Sequence, residues 1–228
     1  MTHTCPTTGC TITVPQNTFM CARHWRMVPR PLRDAIYADF ARTGRAGENH
    51  REALRLVNTA EGGRAGLGLP AGTKALTIWQ PWASLVMIGA KRYEFRRWNF
   101  ADKPHLAKLV GRRLVIHAGA RPPRLAEVDD ILNRIVSGES ELDQTLAVPF
   151  LTDLRAKLAA KGTDPVPLAA ALGSAILGRP RSVVDLFADQ VADSDRLDQH
   201  MYAWPMADTQ PFPAPVPAAG AQGFWNWS

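Results

Sequence analysis

This 228-residue sequence has only three cysteines, all within its first 21 residues. An odd count, in a chain opening Met-Thr-His-Thr-Cys without the charged-then-apolar pattern of a secretory leader, argues against a disulfide framework. The expected compartment is the reducing cytoplasm. No apolar run approaches the roughly 20 residues that span a bilayer, so no membrane partner is expected. Neither a phosphate loop nor a dinucleotide fingerprint occurs. No segment recurs at the period of about 20–50 residues that marks solenoids and propellers.

Acidic residues are scarce in one stretch. Residues 74–124 hold 11 Arg or Lys against 2 Asp or Glu, within a chain of net charge +6. Residues 1–73 hold 9 against 5, and residues 125–228 reverse the balance with 7 against 14. Concentrated positive charge is the footprint of a polyanion partner, because each neutralised phosphate releases condensed counterions. A merely solvated basic face would show the same charge count, so the side chains between the cations must decide.

Residues 1–26, rich in Thr, Cys and Pro, hold little regular structure unaided. Leu32, Ile36 and Phe40 at spacing four predict a helix, with Pro31 suited to its first turn and Gly44 and Gly47 at its end. A second helix is predicted over residues 51–59 with Asn49 as its cap. Five glycines among residues 62–72 read as a linker. This divides the chain into a zinc-binding and helical module (1–60), a Gly-rich linker (61–73) and a second domain (74–228). In that domain, 74–79 reads as a strand entering a helix over 81–88. Residues 91–98 and 112–118 read as strands, 122–136 and 149–160 as helices, and 171–187 as a strand pair or one bent strand. The proline-rich segment 210–219 must be extended. Short strands with inserted helices predict an α+β fold, a small mixed barrel rather than alternating βαβ units.

Cys5-x4-Cys10-x10-Cys21-x2-His24 places four soft or borderline ligands within 20 residues. Zn2+ takes four such ligands in a tetrahedron. Pro6 and Gly9 suit the sharp loop between the first two sulfurs, and the close Cys21/His24 pair at a helix entry suits the second half of a zinc knuckle. With four protein ligands, the expected site is structural and leaves no open position for catalysis. His3 is a weaker substitute ligand near a terminus that frays. So polar a segment cannot fold by burial alone, and the ion would replace a core.

The densest chemistry lies in Trp79-Gln80-Pro81-Trp82 and in Lys91-Arg92-Tyr93-Glu94-Phe95-Arg96-Arg97-Trp98. Tryptophan faces stack on unpaired bases, and neighbouring Lys or Arg neutralise phosphate. At least one of Trp79, Trp82 and Trp98 is expected to be core packing. On a strand Glu94 and Arg96 share a face and Lys91 points the other way, unless a turn intervenes, with an exposed Glu94–Arg96 ion pair as the plain alternative to a catalytic role.

The ordered segments Leu-Thr-Ile-x-Gln-Pro-Trp-Ala-Ser-Leu (76–85), Gly-x-Lys-x-x-Glu-x-Arg-x-Trp (89–98) and Gly-Arg-Arg-Leu-Val-Ile-His-Ala (111–118) resemble the ASCH domain of the PUA-like superfamily. So do Ala-Leu-Gly-Ser-Ala-Ile-Leu-Gly (171–178), Tyr-Ala-Trp-Pro-Met (202–206) and the ending at Gly220-Ala221-Gln222-Gly223-Phe224-Trp225. The resemblance covers about residues 74–227. It implies a β-barrel with surrounding helices and a cleft accepting RNA, single-stranded DNA or a modified base. Gln80, Pro81, Trp82, Lys91, Glu94, Arg96, His117, Gln222 and Gly223 would surround that cleft, with Trp79, Arg97 and Trp98 beside them. Gln80 would read a base edge, and Lys91 and Arg96 would take phosphate or a carbonyl oxygen.

Some ASCH proteins are amidohydrolases of N4-acetylcytidine that use a Lys-x-x-Thr-x-Arg arrangement. Lys91 and Arg96 match it, but Glu94 stands at the threonine position, and a carboxylate does not replace a hydroxyl nucleophile. Asp185 is a candidate for the further carboxylate. Hydrolysis would have Glu94 activating water and Lys91 steadying the oxyanion, or Glu94 and His117 acting as an acid–base pair in a ribonuclease. The expectations rank as nucleic-acid binding, then hydrolysis of a modified nucleobase or of RNA, then an adaptor with a protein partner on the acidic helices between 122 and 160.

Overall fold

Polar as it is, the start of the chain pairs as an antiparallel hairpin, β1 (Thr2–Thr4) against β2 (Thr13–Pro15), closed by Cys5 N–H donating to the Ile12 carbonyl at 2.8 Å. The structure, a computed structural model, describes residues 2–160, 165–186 and 201–227, the side chains of residues 64 and 65 aside. Three helices follow the hairpin: α1 (Ala22–Met27), α2 (Arg30–Thr43) and α3 (Glu48–Gly66). Pro31 lies in the first turn of α2, and Gly44 closes it in the left-handed region at φ 67°. Cys5, Val14, Met20, Cys21, Val28, Ile36, Ala53 and Val57 form the core of this unit, which comprises Met1–Pro70 with Val216–Ala219.

Two expectations change here. The helix foreseen over 51–59 begins at Glu48 and runs to Gly66, so the first six residues of the supposed 61–73 linker are helical. Buried Ala53, Val57 and Ala60 hold this helix in place, against the roughly 1 kcal/mol that each interior glycine costs.

The second unit, Ala71–Pro215 with Gly220–Ser228, is built on a curled half-barrel sheet. Its strands are β3 (Lys74–Ile78), β4 (Tyr93–Arg96), β5 (Arg113–Ala118), β6 (Ala170–Leu177), β7 (Arg181–Ser182), β8 (Tyr202–Pro217) and β9 (Phe224–Asn226). They run in the order β4-β8-β6-β5-β3-β9, with β7 also on β8. β3 and β5 are parallel and pair Thr77 with His117; β4 and β8 are antiparallel and pair Glu94 with Trp204. The β5–β6 register shifts between Ile116 and His117, a bulge of the kind that re-aims a side chain.

Around the sheet lie α4 (Trp82–Met87), α5 (Pro104–Ala107), α6 (Leu125–Val136), α7 (Gln144–Ala159) and α8 (Val183–Leu186). Helix α7 starts five residues before the expected 149, because the Asp143 carboxylate caps Thr145 N and Leu146 N and Pro149 is carried inside the helix. The strand pair expected over 171–187 is present as β6 and the two-residue β7, but the short α8 takes the place of strand from Val183 to Leu186, and residue 187 lies outside the described residues. The class is mixed α/β. Among the described residues no helix is long and apolar enough to cross a membrane.

Candidate functional site

In the first unit, the hairpin carries Cys5 and Cys10, and Cys21 caps α1 so that His24 follows one turn later. One ligand atom from each of Cys5, Cys10, Cys21 and His24 lies within 4.8 Å of all the others. His24 Nδ1 is 3.4 Å from both Cys5 Sγ and Cys21 Sγ, and Cys21 N–H donates to Cys5 Sγ at 3.3 Å. All three cysteines are free thiols. Burial, the largest single influence, pushes the Cys5 thiol up, but hydrogen bonds from Cys21, His24 and Thr7 outweigh it and bring it down from 9.0 to about 6. Burial raises the Cys10 thiol. Three sulfurs and an imidazole around one point suit a metal ion.

The remaining ring nitrogen of His24, Nε2, lies 3.9 Å from Glu61 Oε1 on α3, and Arg23 donates to both oxygens of Glu61 at 3.1 and 2.8 Å. A carboxylate behind a ligating histidine fixes its tautomer and ring orientation. Sequence reasoning missed Glu61, because it stands 37 positions after His24 inside a stretch read as a linker. His3 lies outside the four-residue cluster.

In the second unit, Glu94 bridges two cations. Lys91 Nζ is 3.3 Å from Glu94 Oε2, and Arg96 donates to Glu94 Oε1 at 2.9 Å. Lys91 stands in the turn before β4, its N–H donating to the Leu85 carbonyl, so it comes round to Glu94 rather than pointing away. Lys91 and Glu94 are buried, so the exposed ion pair weighed for Glu94 and Arg96 is a largely buried cluster. Lys91 also donates to the Tyr93 carbonyl and lies 4.9 Å above the Phe95 ring. From this cluster Arg96 reaches across to the Thr77 carbonyl at 3.4 Å.

Thr77 joins β3 to the rest of the site. Its hydroxyl lies 3.3 Å from His117 Nδ1 and accepts from Trp225 Nε1 at 3.1 Å. His117 is buried edge-on to Trp225 and reaches the ion cluster through Thr77. Residue 220 has to be glycine, since a Cβ there would fall 2.4 Å from His117 Cε1.

The other expected cleft residues divide. Trp79 is 58% exposed, with the Arg121 guanidinium 4.8 Å from its ring. Trp98 is half-buried, edge-on to Trp204, with Lys103 Nζ at 4.8 Å. Trp82 packs against both core clusters of this unit. Gln80 is buried with both ends of its amide engaged, Nε2 donating to the Pro167 carbonyl and Oε1 accepting from Ser84 N–H. Its amide holds the entry to α4 instead of facing outward to a base edge. Pro81 is buried beside it, Arg97 and Gln222 are exposed, and Gly223 opens β9 in the left-handed region at φ 69°. Asp185 is exposed on α8. Thr77, Arg121 and Trp225 were not foreseen; the parallel β3–β5 and antiparallel β3–β9 pairings that bring Thr77 to His117 and Trp225 leave no local signature.

No protein-family model matches the chain, and no curated protein matches it in sequence.

Proposed function

We propose that the protein binds nucleic acid through an ASCH-like, PUA-like second unit, and that zinc bound by Cys5, Cys10, Cys21 and His24 stabilises the first unit. The ligand class is RNA, single-stranded DNA or a modified base. The observation that carries this reading is Trp79, an indole more than half exposed with Arg121 stacked on it, in a segment where cations outnumber acids 11 to 2. The exposed indole offers a base a stacking face, and the guanidinium on it, which also pairs with Glu127, adds positive charge beside that face. The four metal ligands fill a tetrahedron, so the zinc serves structure and not catalysis.

A second reading, hydrolysis of an amide on a modified nucleobase, is favoured by the buried Lys91–Glu94 pair. There Glu94 would activate water and Lys91 would steady the oxyanion.

Titration with short labelled single-stranded RNA, single-stranded DNA and duplex DNA at two salt concentrations tests the first reading. The expected result is salt-sensitive binding that Trp79→Ala weakens by about tenfold, in line with one lost base stack. No binding to any of the three removes it. Turnover of an N4-acylated cytidine, lost in Glu94→Gln while binding persists, would put the hydrolase first.

A further inference from the structure

The first unit carries an aromatic and arginine face that the metal cluster does not use. All nine basic residues among the first 73 are arginines. Five of them are paired with the five acids of that segment: Arg23 with Glu61, Arg30 with Asp34, Arg42 with Asp39, Arg51 with Glu48 and Arg55 with Glu52. The excess positive charge therefore rests, among the described side chains, on Arg26, Arg33 and Arg45. Arg33 is half-buried, and its Nε is shielded from water without a hydrogen-bond partner.

Arg30, Arg33, Tyr37 and Phe40 recur at spacings of three, four and three, so they form one stripe along α2. Tyr37 is 55% and Phe40 41% exposed, large values for rings that burial alone would place inside. Both rings stand edge-on to Phe19, at 5.8 and 5.4 Å, and Phe19 stacks on Trp25 at 5.6 Å. Arg26 adjoins Trp25 in α1. The only acid on the stripe is Asp34, exposed and 3.9 Å from Arg30.

We propose that this face, centred on Tyr37, Phe40 and Arg33, is a second binding surface for single-stranded nucleic acid. Rings braced from behind by Phe19 and Trp25 keep their outer faces for stacking, and unpaired guanidinium forks beside them match phosphate. Duplex nucleic acid does not suit it, because bases must be unstacked to meet the rings. This surface stands independently of Trp79 and the second unit.

The test uses the full chain, fluorescent oligouridine and oligothymidine, and anisotropy titrations. Tyr37→Ala with Phe40→Ala should weaken binding about tenfold or more, while Tyr37→Phe with Phe40→Tyr should bind like the parent. Arg33→Gln should lower the salt dependence by about one phosphate contact. Metal content and circular dichroism of each variant separate lost contact from lost folding. Parent-like affinity in the folded double-alanine variant overturns the proposal. If Trp79→Ala alone loses binding, only the second-unit reading stands; if the double-alanine variant alone loses it, only this surface stands. Failure of the parent to bind either oligonucleotide overturns both.

Discussion

The two units of this chain obtain their cores by different means. In the second, a curled sheet buries Leu76, Ile78, Leu114, Ile116 and Leu177 against Phe100 and Trp204, while α6 and α7 bury Val128, Ile131, Leu151 and Leu154. In the first, two of the eight buried core residues are themselves metal-site cysteines, and the hairpin that carries Cys5 contributes only Val14 besides. A core of that size leaves little margin over the entropy of ordering the chain, so with the proposed zinc the first unit would depend on ligation where the second depends on burial. Structural zinc supplies about 10–16 kcal/mol of binding free energy in small modules. The largest expected effect is therefore from chelation: amide-exchange protection should vanish across β1, β2 and α1 and persist in β5 and β6. Cys21→Ser should do the same without chelator. Protection lost equally in β5 would mean that one cooperative transition governs the whole chain.

Charge is used differently as well. Several ion pairs of the first unit lie one helical turn apart on exposed surface, as Glu48–Arg51 and Glu52–Arg55 do, and such pairs contribute little. The second unit buries a carboxylate between two cations, and removing the carboxylate strands Lys91, whose side chain is only 5% exposed. Leaving a buried charge unpaired costs about 3–5 kcal/mol. Glu94→Ala should lower the stability of the second unit by that order in urea unfolding, with metal content unchanged. Lys91→Met combined with Glu94→Leu should recover much of the loss, because the pair's desolvation penalty disappears with it. A loss in the double variant as large as in Glu94→Ala would show that the ion pair itself, not its uncompensated remainder, holds β4.

What could be read from the sequence follows the range of the interactions. The metal cluster is local in sequence, its four residues spanning 20 positions, whereas α1, which holds His24, lies partly in a stretch (1–26) expected to carry little regular structure. Strands β3, β5 and the start of β6 were legible because apolar residues run nearly unbroken through them. The helical reach of α3 was not: its glycines argued against a helix, and the burial of Ala53, Val57 and Ala60 that overrides them is tertiary. The same limit applies at the ion cluster. Alternation along β4 placed Glu94 with Arg96, whereas Lys91 joins them only because the turn after α4 brings it round. The amide of Gln80 looked like a base reader in a polar motif, yet its partners, Ser84 and the Pro167 carbonyl, show a group that holds backbone.

The finest expected difference concerns how the first unit holds its histidine. Arg23 fixes Glu61, and Glu61 faces Nε2 of His24 while Nδ1 faces the sulfurs. Loss of such a carboxylate behind a ligating histidine weakens metal affinity by about 10–100-fold, through a ring less firmly oriented and less basic. Glu61→Ala should accordingly leave the melting temperature near the parent value in excess zinc, where ligation stays saturated. Under competition with a chromogenic chelator it should release its metal at roughly ten times lower chelator concentration. Glu61→Gln keeps an oxygen beside Nε2 and should retain most of the parent affinity. An equal loss in the glutamine and alanine variants would assign the effect to the negative charge alone. No loss in either would show that the sulfurs and the ring suffice, and that Glu61 serves only its ion pair with Arg23.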